Sequence, residues 1–215
     1  MRIAGFVLVL AASAVGQPIP WPSSATASPL GLESRGTGTG NTASELENGA
    51  CRPYTLIFAR ATVEGGNMSL FGKDNVACQG VGKPYTASIG DNLLPKGTSA
   101  AAIGQATSLF QLAATKCPTT KIIASGYSQG GAVMHGSISA LAEDVKSRIV
   151  AAVMFGDSRN AQDKGQIPNF PKSKTKIFCK LGDLVCLGTD LLSVQHFLYT
   201  GDVGAAVGFF KGLLR

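Results

Sequence analysis

Charge is scarce in this chain. Only 15% of its 215 residues are Asp, Glu, Lys or Arg, while 45% are hydrophobic. Basic residues outnumber acidic ones, 19 to 13, for a net charge of +6. They are scattered and not interleaved with aromatics, which argues against a nucleic-acid surface. Long apolar runs are missing as well: the stretch Ile3 to Ala12 is too short to span a bilayer and nothing later approaches that length. Histidine is rarer still, with two copies, so any acid–base chemistry has few candidates. What remains is the composition of one globular domain with a substantial core.

The N-terminus carries Arg2, the apolar stretch, and then the small residues Ala14-Val15-Gly16. This is the pattern of a secretory signal peptide over residues 1–16. Residues 17–50 are rich in Pro, Ser, Thr, Gly and Ala and read as a flexible leader or propeptide. The run Gly36-Thr37-Gly38-Thr39-Gly40 follows no strand, so it is linker and not a nucleotide loop. The domain proper is expected over 51–215, in a secreted, extracellular monomer with no transmembrane segment. Five cysteines in a secreted chain suggest two disulfides and one spare thiol, and the sequence alone leaves the pairing open. Cys179 and Cys186 are near enough to close a small loop, which would leave Cys51 and Cys117 to tie the first strand to a helix end. Cys78, inside the apolar run Val76 to Val81, reads as a small buried hydrophobe.

Short apolar runs bounded by turn residues recur at 54–59, 76–81, 121–126, 149–156 and 175–180. Such runs suit parallel strands buried on both faces. Between them lie helical patterns. In 99–116, Ile103, Ala106, Phe110 and Ala113 share one face, with Thr98 or Ser99 as cap and Pro118 as stop. Further helices are expected over 129–145 and 207–214. The alternation predicts an α/β fold: a doubly wound three-layer sandwich around a central parallel five-stranded sheet.

One segment carries chemistry. Gly126-Tyr127-Ser128-Gln129-Gly130 is a G-x-S-x-G pattern set after the third strand and before a helix. A serine on such a turn is lifted clear of its neighbours, and flanking glycines remove Cβ atoms that would clash. The amides opening the helix point at negative charge developing beside the hydroxyl. A serine needs a base, and the base an orienting acid. His135 lies two turns further along the same helix, out of reach, and reads as a surface residue. His196, in a loop after the last strand, stands where the order Ser, Asp, His places the base. Asp157, Asp163, Asp183 and Asp190 all fall between Ser128 and His196. Asp183 leads because it follows a strand and sits in the loop that Cys179 and Cys186 would pin; Asp157 is the runner-up. Glu143 and Asp144 look like solvated charges. The Gln129 amide supplies one oxyanion donor, and Thr62, in the loop Arg60-Ala61-Thr62-Val63-Glu64, supplies another.

With these residues placed, the chain from about Cys51 onward resembles a fungal cutinase, within the cutinase and acetylxylan-esterase family of serine esterases. The likeness rests on Ala59-Arg60-Ala61-Thr62-Val63-Glu64, Gln79-Gly80-Val81-Gly82, the stretch from Gly90-Asp91-Asn92 to Gly97-Thr98-Ser99, the Gly126–Gly130 elbow, and Cys179-Lys180-Leu181-Gly182-Asp183-Leu184-Val185-Cys186. The resemblance implies an α/β-hydrolase-type fold without a lid, and a triad of Ser128, Asp183 and His196. It implies an oxyanion hole of Thr62 and Gln129, with Asn92 supporting Thr62 from behind. It places Ile89, Tyr127 and Leu192 at the substrate and pairs Cys51 with Cys117 and Cys179 with Cys186. The implied activity is hydrolysis of cutin-type polyesters and short-chain esters through an acyl-enzyme on Ser128, without metal or cofactor.

Three departures stand out. Thr62 replaces a frequent serine, and Asp190 occupies a rim position that is often apolar. Between Asn67 and Phe71 the chain lacks a stretch that forms the first crossover helix in the family, and the junction creates the sequon Asn67-Met68-Ser69. Two other readings therefore accompany the first: an acetylxylan esterase, and a catalytically impaired member acting as a surface-binding or signalling protein.

Overall fold

The computed structural model describes residues 42–64 and 75–214, all within one compact unit. The expected signal peptide, most of the leader, and the shortened crossover at 65–74 with its sequon lie outside the described residues. Five strands, β1 (Tyr54–Ala59), β2 (Val76–Gly80), β3 (Lys121–Tyr127), β4 (Ile149–Phe155) and β5 (Thr175–Phe178), form one sheet. Its order is β2-β1-β3-β4-β5 and every pairing is parallel. The helices are α1 (Glu45–Asn48), α2 (Ala100–Lys116), α3 (Gln129–Ala140), α4 (Glu143–Lys146) and α5 (Val203–Leu213).

Side chains alternate across a strand, so each strand feeds two layers. Ile57 and Ala59 of β1 join Ile122, Ala152 and Met154 beneath α2 and α3. Leu56 and Phe58 turn the other way, against Ile123, Cys78 and Phe210 of α5. The result is the doubly wound α/β sandwich that the alternating runs predict. Cys51 pairs with Cys117 and Cys179 with Cys186. Cys78 belongs to neither bridge and is buried, which pushes its thiol up to about 12.

α2 starts where its cap predicts: Ser99 Oγ accepts from the Ala102 N–H at 3.2 Å. Its buried face is Ala102, Ala106, Leu109, Phe110 and Ala113. Ile103 is only half-buried and lies over Gly136 of α3, where a Cβ would meet its Cδ1 at 2.5 Å. The expected helix over 129–145 breaks in two, because Leu141 and Ala142 turn to extended backbone before α4. α5 likewise begins earlier than the expected 207, at Val203.

Residues 43–49, expected to belong to the leader, pack onto the sheet. Gly80 N–H donates to Ala43 O at 2.9 Å, Cys78 N–H to Glu45 Oε2 at 2.8 Å, and Gln79 Nε2 to Glu47 Oε2 at 2.7 Å. These bonds occupy the outer edge of β2, which an edge strand would otherwise leave unpaired. Leu46 is buried beneath. Lys116, at the end of α2, holds the strap by donating to the carbonyls of Leu46, Glu47 and Gly49 at 2.7, 2.9 and 3.1 Å. Lys116→Met removes three bonds from a charged donor, at about 1–2 kcal/mol net for a partly exposed group. The melting temperature should fall by a few degrees and limited proteolysis should quicken between residues 43 and 50. An unchanged cleavage pattern would show that the strap is held by other contacts.

Candidate active site

The strand order reverses direction between β1 and β3, where connections leave to opposite sides and open a crevice at the strands' carboxyl ends. Two segments meet there: the 60–64 loop after β1 and the turn after β3. Ser128 sits on that turn at φ 56°, ψ −121°, a conformation costly for any residue with a Cβ. Its N–H donates to Phe155 O at 2.9 Å, and its own carbonyl accepts from Gly131 N–H at 2.8 Å and Ser158 Oγ at 3.1 Å. The glycines make the turn possible. A Cβ on Gly126 would lie 2.5 Å from Gly130 O, and one on Gly130 would collide with the Ala59 carbonyl.

The structure brings Ser128, His196 and Asp183 together. His196 Nε2 lies 3.0 Å from Ser128 Oγ, and Nδ1 lies 2.9 and 3.0 Å from the two Asp183 oxygens. All three residues are buried. His196 comes from a short 3-10 helix, Val194–Phe197. Asp183 comes from the turn after β5 inside the Cys179–Cys186 loop. Its Oδ1 also accepts from the Val185 N–H at 3.0 Å, and its Oδ2 from the Tyr199 hydroxyl at 2.6 Å. The Tyr199 hydroxyl in turn accepts from Lys180 N–H at 2.9 Å. Burial, together with the neighbouring carboxylate, pushes the Tyr199 phenol up, so it stays a donor.

Opposite the serine, Asn92 Nδ2 donates to Thr62 Oγ1 at 3.2 Å. Gln129 Nε2 donates to Asn92 Oδ1 at 2.5 Å and to Ser88 O at 2.8 Å. Thr62, Asn92 and Gln129 therefore form one chain of contacts, and the Gln129 amide opens α3, where N–H groups have no partner within the helix. The 60–64 loop is braced by groups the sequence reading missed. Arg60 donates to Glu64 O at 2.7 Å and to the carbonyls of Val81 and Tyr85 at 3.3 Å each, and its guanidinium lies over the Tyr85 ring. Glu64 Oε2 accepts from Ala61 N–H at 2.9 Å, and the Tyr85 hydroxyl donates to Arg60 O at 2.7 Å. An arginine directly following the apolar run of β1 was the available signal.

Of the expected substrate residues, Ile89 and Leu192 are exposed, on the 88–97 loop and just before the His196 helix. Tyr127 is half-buried and its hydroxyl donates to the His196 carbonyl at 2.6 Å, fixing the loop that carries the imidazole. A cavity of about 160 Å³ opens between the two loops, lined among others by Asn92, Leu94, Ser158, Arg159, Thr189 and Asp190.

One expectation needs correction, and one alternative falls away. His135 is not on the surface; it is buried, because α3 is enclosed from Gln129 to Ile138, where every residue but the half-buried Gly136 is buried. Asp157, the alternative acid, faces His135 and not His196: its Oδ2 lies 2.9 Å from His135 Nε2.

The family model for cutinase matches residues 50–214. "Probable cutinase 3" of Aspergillus fumigatus is 48% identical over 189 residues, covering 82% of this chain and 87% of that one. "Cutinase 2" of Fusarium vanettenii is 41% identical over 217 residues, covering 94% and 91%. Among solved structures, a Trichoderma reesei cutinase in complex with a phosphonate inhibitor superposes at a TM-score of 0.68 with 28% identity, covering 82% of this chain and 81% of that one. An acetylxylan esterase superposes at 0.64 with 19% identity over 77% and 100%, which is likeness of fold.

Arg60→Met leaves three carbonyls without their donor, two of them deeply buried. The expected loss is about 2–4 kcal/mol, read as a fall of roughly 5–15 °C in melting temperature. Arg60→Lys should recover little, because an ammonium cannot reproduce the fork. A lysine variant as stable as the parent would refute this account of the loop.

Proposed function

The chain belongs to the cutinase family of carboxylic-ester hydrolases, and from that membership we propose that it is a secreted serine esterase acting on cutin-type polyesters and short-chain esters. The observation that carries the reading is the 3.0 Å contact between His196 Nε2 and Ser128 Oγ, with Asp183 on the far side of the ring. In this mechanism Ser128 Oγ attacks the ester carbonyl carbon while its proton passes to His196 Nε2. Asp183 holds the Nδ1–H tautomer and stabilises the imidazolium. The carbonyl oxygen, now negative, is received by the Gln129 amide and by Thr62; each such donor is typically worth about 2.7–4 kcal/mol in the transition state. His196 returns the proton to the departing alcohol. Water then repeats the cycle on the acyl-enzyme and frees the acid.

Exposed apolar side chains around the crevice, Ile89, Leu93, Leu191, Leu192 and Phe197, support an apolar substrate surface. The two disulfides support an oxidising, extracellular setting. A second reading has its own observation. Arg159, Gln162, Thr189 and Asp190 give the cavity between the loops, beside the site at Asn92 and Ser158, a polar lining, which suits a polar polymer carrying the ester, such as acetylated xylan. Release of acetate from xylan without release of monomers from cutin would select it.

Hydrolysis of p-nitrophenyl butyrate should fall by at least about 10³-fold in Ser128→Ala. An alkyl p-nitrophenyl phosphonate should phosphonylate Ser128 Oγ with release of p-nitrophenol, adding the mass of the phosphonyl group in the parent and not in the variant. Equal hydrolysis by both proteins, or a phosphonate on another residue, would end the serine mechanism for this chain. Tyr199→Phe removes a donor to the Asp183 carboxylate. At about 1.5–3 kcal/mol for a bond to a charged group, kcat should drop about 10–100-fold with KM little changed. A rise in KM at constant kcat would place Tyr199 at the substrate instead.

A further inference from the structure

Behind the site lies a buried charge cluster that the esterase mechanism does not use. His135 Nδ1 lies 2.7 Å from Asp163 Oδ2, within hydrogen-bonding geometry. His135 Nε2 lies 2.9 Å from Asp157 Oδ2, an ion-pair contact that is less well aligned. Asp163 is also gripped by Arg159 through Nε at 3.3 Å and Nη2 at 3.0 Å. His135 and Asp157 are almost wholly shielded from solvent, at 2% and 0% exposure. An imidazole with a carboxylate oxygen against each ring nitrogen can satisfy both only as a double donor, the imidazolium. With His135 charged, the four groups sum to zero: His135 and Arg159 against Asp157 and Asp163.

The cluster is joined to the site through one short segment. Phe155 O receives the Ser128 N–H, and Ser158 Oγ donates to the Ser128 carbonyl. Between them Gly156, at φ +51°, runs directly against the base: a Cβ there would lie 2.8 Å from His196 Cε1 and 2.9 Å from Nδ1. Asp157 follows, its Oδ1 receiving the Arg159 N–H at 2.9 Å. The same carboxylate fits into the first turn of α3, because Gly131 has no Cβ; one would stand 2.5 Å from Asp157 Oδ1. The turn after β4 therefore touches nucleophile and base from behind, and the Asp157–His135 contact adds a second attachment, further along the nucleophile's helix, to those at Ser128.

We propose, resting on the serine-esterase reading, that His135 is a positioning residue: clamped as an imidazolium between Asp157 and Asp163, it locks the 155–158 turn that aligns Ser128 with His196. Burial alone would lower the His135 pKa, but the bonds to Asp157 and Asp163 and their charges outweigh it and hold it at about 9. The charged groups facing it are Asp157 and Asp163, with Arg159 behind. Because its folded value lies above the ordinary 6.5, its contribution is complete below about pH 6.5 and lost as pH rises through about 9.

The test has two arms. In the first, background-corrected kcat and KM for p-nitrophenyl butyrate are followed from pH 6 to 10.5 for the parent, His135→Gln and Asp157→Asn, with melting temperatures alongside. The parent should lose kcat through about pH 9 at steady KM. The variants should show kcat lowered about tenfold already at pH 8, with that alkaline loss gone. Folded variants that keep kcat within twofold, with the parent's alkaline profile, would overturn the proposal and leave His135 a purely structural residue. The second arm needs neither turnover nor a variant. The chain has only two histidines, and NMR titration of the parent should find His135 protonated at both nitrogens up to about pH 9. Titration near 6.5, or a single ring proton at neutral pH, would overturn it even if the variants fail to fold. If Ser128→Ala instead hydrolyses the ester like the parent, the serine mechanism is wrong while the NMR result still decides the state of His135.

Discussion

The first turn of α3 lies so close to its surroundings that three glycines each face a different neighbour. Gly126 faces the Gly130 carbonyl, Gly130 the end of β1, and Gly131 the Asp157 carboxylate. This close approach sets most of the site. It presses Ser128 into a strained backbone conformation, which persists only where the surroundings over-determine it. It brings the Gln129 amide up to the loop after β1, so that Thr62 and the serine share one crevice. It also leaves no room for solvent around α3, which explains why every residue from Gln129 to Val133 is buried. The small side chains of this helix are a consequence of geometry more than of any preference for helix.

The base is held by a different device. His196 lies on a short 3-10 turn with exposed apolar neighbours on both sides, a segment with little core of its own. Its position comes from contacts behind it: Asp183 at Nδ1, the Tyr127 hydroxyl on its carbonyl, and Gly156 under the ring. Asp183 is fixed in turn by the disulfide loop, the Val185 amide and Tyr199. The loop can therefore present Leu192, Val194 and Phe197 to solvent without loosening the imidazole. Rigidity sits on the inner side of the segment and an apolar face on the outer.

The strands were legible because parallel strands buried on both faces are short apolar runs, and these five are bounded by clear turn residues. Thr62 and Ser128 could be paired before any contact was known because a nucleophile elbow draws its second oxyanion donor from the loop after an earlier strand; the strand order β2-β1-β3 then sets the ends of β1 and β3 side by side. Residues 43–49 were not legible. They look polar and linker-like because they use Glu45 and Glu47 to bond a strand edge, and such bonds leave no hydrophobic period. The break after Ala140 escaped because no Gly or Pro marks it. His135 was misplaced for a related reason. Its distance from Ser128 along the helix was judged correctly, but helix position says nothing of a second layer, and the carboxylates that enclose it come from beyond β4.

In a chain with so few charged residues, four of them meet around α3, and the energetics of that choice are informative. Buried ions lose hydration, and well-packed apolar groups of similar volume are often equally stabilising. Stability alone therefore does not account for the cluster. What ions add is direction. An apolar contact between α3 and the 155–158 turn would tolerate sliding by a fraction of an ångström, whereas the charge pair of Asp157 and His135 holds the separation, and the hydrogen bond from His135 Nδ1 to Asp163 orients the ring. The turn presses on His196 at less than ordinary contact distance for any side chain larger than hydrogen. A small displacement there would pass directly into the separation of Ser128 Oγ and His196 Nε2, and proton transfer depends steeply on that separation. Directional contacts are thus best placed where the site is least tolerant of movement, one layer behind the reacting atoms.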